Sequence, residues 1–125
     1  MYEKKLEDDI RCPLDYGLKV FGGKWSSRII CLLAHEGTMR YGDIRREMIN
    51  ISDVVLASAL KGLVLHGLVH RKTHAEIPPR VEYSLTEKGK SAIPILKSVC
   101  KWSSSEDWQG KGKVMNQCKH CDCLE

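Results

Sequence analysis

Apolar residues recur at helical spacing over the first third of the chain and predict two helices. The first begins at Pro13, because proline suits the first helical position, and ends at Gly22 and Gly23. The second is expected over residues 24–36, with Gly37 closing it. Their apolar positions are Leu14, Leu18 and Phe21 in the first helix and Trp25, Ile29, Leu32 and Leu33 in the second.

Two shorter patterns follow. Residues 38–40 are too few for more than a short strand, and residues 41–48 predict a helix with Arg45 and Arg46 outward. Ser52 is a good N-cap for a further helix over residues 52–66, which Gly67 ends. The apolar side of that helix is predicted to be Val55, Leu56, Ala59, Leu60 and Leu63.

After Gly67 the spacing of apolar residues falls to about two, which predicts strands at residues 68–73 and 81–85. Residues 74–80 between them are expected to form a stiff loop, because Pro78 and Pro79 lack the backbone donors that a ladder needs. Thr86 caps a final long helix that Pro94 is expected to kink or split. The apolar positions of this helix include Ile93, Leu96, Val99 and Cys100.

This order of elements predicts an α+β fold that is mainly α: a winged helix-turn-helix in which residues 38–40 and the hairpin form a small sheet. An unspecialised α+β domain is the alternative. The last helix, with Trp102 added, carries more apolar side chain than one small domain can cover. We therefore expect the N- and C-terminal helices to be dimerisation helices.

The chain has 125 residues, 42% hydrophobic and 29% charged, which fits one globular domain and excludes a mostly disordered chain. No apolar run approaches the about 18 residues that span a membrane, and the charged start has no apolar signal segment, so we expect a cytoplasmic protein. Charge and glycine content predict a flexible N-terminal arm at 1–11, the folded domain at 12–108 and a flexible cysteine-rich tail at 109–125.

Motifs spread over about residues 10–102 resemble those of a known family. They are Cys12-Pro13, Gly22-Gly23-Lys24-Trp25, Arg40-Tyr41-Gly42-Asp43-Ile44, Ile51-Ser52 with Leu56 and Leu60, Gly67-Leu68-Val69, and Pro78-Pro79-Arg80-Val81-Glu82-Tyr83-Ser84-Leu85-Thr86 with Gly89. The chain resembles the HxlR-type branch of bacterial MarR-like transcription regulators. The resemblance implies a homodimer, a winged helix-turn-helix and binding to operator DNA.

The helix at 52–66 is the candidate recognition helix, because such a helix presents its N-terminal half to base edges. Its predicted outward side chains, which we expect to contact DNA, are Asp53, Val54, Ala57, Ser58 and Lys61. An ordinary amphipathic helix with a solvated face has the same pattern. This face lacks long amide side chains and carries Gly62 in mid-helix, so DNA shape is expected to contribute to specificity.

Basic residues favour the same half of the chain. The net charge is +4, and residues 61–90 hold six basic and three acidic side chains, so +3 of the excess lies there. A rigid wing loop carrying Arg80 suits a narrow minor groove, although basic strands also serve solubility. The further candidate DNA contacts are Lys24, Ser26, Arg40, Arg45, Arg71 and Lys72. Arg46 is expected either to join them or to pair with Asp43.

Six cysteines in a chain expected to be cytoplasmic favour free thiols over a disulfide framework. Cys12 precedes the first helix, where peptide amides stabilise a thiolate, and the family resemblance implies that oxidant- or electrophile-sensing members use the matching cysteine. Cys12 is thus the candidate redox switch, and an inert half-buried cysteine is the alternative. Cys31 is expected in the core, and Cys100 in packing or at a dimer seam.

The tail carries a Cys-x-x-Cys pair, Cys118 and Cys121, followed by Cys123. This spacing brings two sulfur atoms to one metal ion, and soft thiolate-preferring ions fit it best. A closed site needs further ligands, so a tail of oxidisable thiols is the alternative.

No catalytic constellation is evident: the five histidines are scattered, and no nucleophile elbow, phosphate loop or paired carboxylates occur. We therefore expect no enzyme and no cofactor. The leading prediction is a homodimeric regulator of transcription that binds double-stranded DNA at an inverted repeat and responds to an oxidant, electrophile or small molecule. A metal-responsive regulator and a winged-helix module for protein–protein assembly remain the alternatives.

Overall fold

A computed structural model describes residues 12–104 and Cys118. The predicted arm at 1–11, Cys121, Cys123 and the rest of the predicted tail lie outside these described residues. The elements in chain order are α1 (Pro13–Val20), α2 (Ser26–Glu36), β1 (Met39–Arg40), α3 (Tyr41–Met48), α4 (Asp53–Leu65), β2 (Val69–His74), β3 (Arg80–Leu85), α5 (Glu87–Ser91) and α6 (Ile93–Ser104).

This order confirms the predicted winged helix-turn-helix. The three strands form one antiparallel sheet in the order β1-β3-β2, so β3 lies in the centre and the hairpin of β2 and β3 forms the wing. Met39 pairs with Tyr83 across β1 and β3, and Val69 pairs with Leu85 at the foot of the hairpin. The two-residue strand β1 agrees with the prediction that residues 38–40 are too few for more than a short strand.

The core is built around α2, which contacts α3, α4, α6 and β3. Four α2 side chains are fully or almost fully buried, and α4 adds three more at the spacing of one helical face. These are Ile29, Ile30, Leu32 and Leu33 from α2 and Leu56, Leu60 and Leu63 from α4. The predicted place of Val55 among them is wrong: its side chain is exposed, because it lies at the edge of the buried stripe.

Two predicted boundaries change, and the predicted break in the final helix is confirmed. Helix α2 begins at Ser26, and Lys24 belongs to the turn before it. His74 and Arg80, predicted to be loop residues, pair with each other in the last rung of the β2–β3 ladder, so the loop shortens to residues 75–79. The final helix splits at Ala92, as Pro94 indicated, because proline has no amide hydrogen with which to continue the hydrogen bonds of one long helix. As the second residue of α6, Pro94 lies in the first turn, where an amide has no helical partner.

Helices α1 and α6 leave much of their apolar surface uncovered. Val20 is the buried residue of α1 and Leu96 that of α6, whereas Leu14 and Leu18 are exposed and Trp102 is 80% exposed. Within the described part of the chain, no single helix is long and apolar enough to cross a membrane; α3 and α4 pass that test together but are bent by 115°.

Candidate DNA-binding interface

Helix α4 begins with the cap that its sequence predicts. The Ser52 hydroxyl accepts a hydrogen bond of 3.2 Å from the amide of Val55, which satisfies one of the free donors at the helix start. All five side chains predicted to point outward are exposed: Asp53, Val54, Ala57, Ser58 and Lys61. Val54 is 80% exposed, so this surface offers an apolar group beside a hydroxyl and a cation.

A cleft of about 260 Å³ separates α4 from the wing. Ala57 and Lys61 of α4 and Arg71 of β2 line it together. Arg71 also donates a 3.3 Å hydrogen bond to the hydroxyl of Thr73, two residues along the same strand face. The structure thus brings two of the predicted basic contacts, one from the helix and one from the wing, to the same cleft.

Two other predicted contacts lie on the opposite face of the sheet. Arg40 of β1 and Lys72 of β2 both stand directly across from Glu82 of β3, one on each side. Since successive strand residues alternate between faces, this row faces away from Arg71 and Tyr83. The predicted basic residues therefore lie on both faces of the sheet. Arg71 lines the α4 cleft, and Arg40 and Lys72 lie on the opposite, outer face.

The wing holds Arg80 in a network of carboxylates. Its guanidinium lies 3.4 Å from Glu76 Oε1 and 3.5 Å from Glu82 Oε2, and its side chain is 28% exposed. His74 Nε2 lies 2.7 Å from the other oxygen of Glu82. That hydrogen bond, followed by the charges of His74, Arg80 and Arg40, lowers the pKa of Glu82, while burial opposes the shift. The DNA contact of Arg80 stays a prediction.

The start of α2 borders a second cleft of about 430 Å³ beside α4. Lys24 and Ser26 line it on one side, and Val54 and Ser58 line it on the other, so two regions predicted separately as DNA contacts are neighbours. The ammonium of Lys24 lies 4.9 Å from the centre of the Trp25 ring, and the Arg28 guanidinium lies 5.0 Å from it.

Helices α3 and α4 are joined by a contact that the sequence did not predict. Arg45 Nε lies 2.8 Å from Oδ1 of Asp53, and the Tyr41 hydroxyl donates to the same oxygen at 3.1 Å. Burial, and then the hydrogen bond to Asp53, raises the pKa of Tyr41. Both charged residues were candidate DNA contacts, but no sequence spacing indicated that they pair. Arg46 pairs with Asp43, which is one of its two expected arrangements.

The cysteines of the described region differ in exposure. Cys12 is exposed and is the N-cap residue of α1, where its carbonyl accepts a 3.2 Å hydrogen bond from the amide of Tyr16. Cys31 packs against the core but is only half-buried, and Cys100 and Cys118 are half-buried as well. Among residues 12–104 and Cys118, no three histidine, cysteine or acidic side chains come close enough to hold a metal ion. The metal site in the tail stays a prediction.

Comparison with known proteins is consistent with this geometry. A model of the HxlR-like helix-turn-helix family matches residues 20–111. The chain belongs to the HxlR-like helix-turn-helix family. It is 42% identical over 96 residues to an HTH-type transcriptional regulator of Methanothermobacter thermautotrophicus, covering 77% of this chain and 72% of the relative. It is 41% identical over 96 residues to the HTH-type transcriptional regulator YdzF of Bacillus subtilis, covering 77% and 88%.

The fold of this HxlR-like chain also matches solved structures. The redox regulator HypR in its oxidised form superposes with a TM-score of 0.71 at 35% identity, over 78% of this chain and all of that one. The family match begins at Val20, the last residue of α1, and covers α4 and the whole wing. It therefore includes every described residue of the two clefts beside α4 except Lys19.

Proposed function

We propose that this HxlR-like protein is a transcription regulator that binds operator DNA as a homodimer. The observation that carries the proposal is the exposed N-terminal half of α4, capped by Ser52 and flanked by the cleft that Lys61 and Arg71 share. A helix of this kind enters the major groove, and cations beside it neutralise phosphates. The family membership and the transcription regulators among its relatives support the same assignment.

The homodimer is supported by the uncovered apolar surface of α1 and α6, which includes Leu14, Leu18, Val99 and Trp102. A two-fold axis through such an interface sets two copies of α4 against successive major grooves, about 34 Å apart. The operator is then an inverted repeat. Light scattering is expected to show a dimer at micromolar concentration, and a monomer there would contradict the proposal.

The experiment for DNA binding is a selection of bound fragments from genomic DNA, followed by titration of the selected duplex. Affinity is measured by fluorescence anisotropy at about 50 mM and about 200 mM salt, with a scrambled duplex of equal length as control. We expect the selected duplex to bind more tightly than the scrambled one at both salt concentrations. Equal affinity for the two duplexes, or no binding, would rule out a sequence-specific regulator and favour a protein–protein module.

A redox response through Cys12 is supported by its exposed position at the start of α1 and by the similarity to the redox regulator HypR. Diamide accepts two electrons and two protons from a pair of thiols, which become a disulfide. A bond between Cys12 and a tail cysteine of the other subunit would move α1 at the dimer interface and change the distance between the two copies of α4.

The test compares operator affinity with and without diamide in the wild type, in Cys12→Ser and in a chain that ends at Gly110. Cys100→Ser serves as the matched control. Oxidation is expected to weaken binding in the wild type and in the control, and to leave Cys12→Ser unchanged. If Cys12→Ser loses affinity on oxidation as the wild type does, the tail cysteines or another effector carry the response.

A further inference from the structure

One carboxylate oxygen joins the two helices of the helix-turn-helix. Oδ1 of Asp53, the first residue of α4, accepts a hydrogen bond from the Tyr41 hydroxyl. The same oxygen forms an ion pair with Arg45 Nε at 2.8 Å. The Tyr41 hydroxyl also lies 3.2 Å from the Asp53 carbonyl oxygen. Tyr41 and Arg45 are four residues apart on α3, so they project from the same face of that helix.

The ion pair holds Arg45 on the Nε side of its guanidinium, at 2.8 Å from Asp53 Oδ1, and the Arg45 side chain is 52% exposed. The two terminal amino groups lie beyond Nε, at the outer end of the side chain. An arginine fixed through Nε presents those amino groups as a pair that matches two oxygens of a phosphate. Arg46, the next residue, is the contrast: one of its terminal amino groups is occupied by Asp43.

A lone carboxylate at this position would oppose DNA binding. Asp53 lies at the exposed start of α4, where a phosphate backbone would approach, and like charges repel. Its pairing with Arg45 cancels that charge locally, and the contact with the half-buried Tyr41 ties the pair to the core. In this arrangement the Asp53 carboxylate, which alone would repel DNA, holds the Arg45 guanidinium, which attracts it.

We propose that Asp53 is a positioning residue: it holds the Arg45 guanidinium in place for a DNA phosphate and does not read a base. This inference rests on the proposed DNA-binding function. It assigns the phosphate contact to the terminal amino groups of Arg45, with Tyr41 orienting the carboxylate. The opposite assignment, in which Asp53 accepts a hydrogen bond from a cytosine amino group, makes different predictions.

The test is a double-mutant cycle of Asp53→Ala and Arg45→Ala, with affinity for the selected operator and for a scrambled duplex measured over a salt series. Removing a negative charge should by itself tighten binding. We expect Asp53→Ala instead to weaken binding to both duplexes by about fivefold and to reduce the salt slope by about one, as Arg45→Ala does. The double variant should bind no more weakly than Arg45→Ala.

Matched variants separate positioning from folding and from bulk charge. Asp43→Ala removes the same charge from α3, and we expect no reduction of the salt slope. Asp53→Asn keeps an acceptor oxygen and should retain most of the wild-type affinity, and Tyr41→Phe should show a smaller loss than Asp53→Ala. Thermal unfolding of each variant shows whether it is folded, and Asp53→Asn with Tyr41→Phe repeats the test if Asp53→Ala does not fold.

Three results would overturn the inference. Tighter binding of Asp53→Ala to both duplexes would show simple repulsion by the carboxylate. Lost discrimination at one base pair with an unchanged salt slope would show base reading. Full additivity of the two substitutions would show that Asp53 and Arg45 act independently. If the wild type does not bind DNA at all, the proposed function fails together with the inference, whereas wild-type binding with any of these three results removes the inference alone.

Discussion

The Thr86 hydroxyl donates a hydrogen bond of 2.6 Å to the carbonyl of Gly67 and so joins the start of α5 to the end of α4. The same hydroxyl accepts a 3.0 Å hydrogen bond from the amide of Gly89 and thereby caps α5. The backbone adds a third link, because the Thr86 amide donates to the Leu68 carbonyl at 3.0 Å. These bonds close the foot of the wing, where both strands of the hairpin meet the end of α4.

Thr86→Val removes the cap and the contact with Gly67 while keeping the shape of the side chain. We expect the free energy of unfolding to fall by about 1–3 kcal/mol, since both a helix cap and a hydrogen bond are lost. Urea unfolding measures the change. Thr86→Ser keeps the hydroxyl and is the control, and an equal loss in both variants would contradict the role given to the hydroxyl.

Gly89 and Gly62 both lie within helices, but substitution by alanine is expected to change stability in opposite directions at the two positions. A Cβ at Gly89 would stand 2.1 Å from the Leu68 carbonyl oxygen, whereas a Cβ at Gly62 meets nothing within 4 Å among the described residues. We expect Gly89→Ala to destabilise the protein by at least about 1–3 kcal/mol and Gly62→Ala to stabilise it by about 0.5–1 kcal/mol. Opposite shifts of the urea midpoint are the expected result; shifts of the same sign would contradict the packing described.

The lowered pKa of Glu82 predicts a loss of stability in acid. A carboxyl group whose pKa is lowered on folding stabilises the protein above its ordinary value of 4.5, and this contribution is lost as the pH falls through the lower, folded value. Glu82→Gln should therefore show a smaller drop of Tm than the wild type between about pH 6 and about pH 3. Glu87→Gln, which removes an exposed carboxylate that pairs with Lys90, is the control and should follow the wild type.

Arg80 and Lys61 are expected to affect DNA binding in different ways. Arg80→Ala should weaken binding to the operator by about 1–3 kcal/mol and relax its sequence preference, because Arg80 begins β3 next to the wing loop, which suits a narrow minor groove. Lys61→Ala should weaken binding to all duplexes alike and reduce the salt slope by about one. Anisotropy titrations with operator and scrambled DNA separate the two effects. If neither substitution changes binding, this face does not contact DNA.

Periodicity was enough to predict the order of the elements, because each carries its own local signal. The capped start of α4, the exposed outward set from Asp53 to Lys61, and the break near Pro94 all follow from neighbours a few residues apart. Val55 was misplaced since a residue at the edge of an apolar stripe has the same spacing as one inside it.

The remaining features depend on contacts between distant segments. The pair of Arg45 and Asp53 requires the angle between α3 and α4, and the separation of Arg71 from Arg40 and Lys72 requires the strand register. The spacing of apolar residues indicates neither the angle between α3 and α4 nor the register of the strands. His74 and Arg80 extended the ladder beyond the predicted strands because polar and charged side chains at a hairpin end give no alternation to detect.

Gly89 has a consequence for how the wing can vary. Its close approach to the Leu68 carbonyl leaves no room for an added atom at the foot, whereas the loop residues 75–79 are exposed. Insertions are tolerated where few backbone groups are buried or hydrogen-bonded, so they belong at the tip and not at the foot. In related chains built on this plan, the distance that the wing reaches can therefore change from one protein to another while the direction in which it points from α4 stays the same.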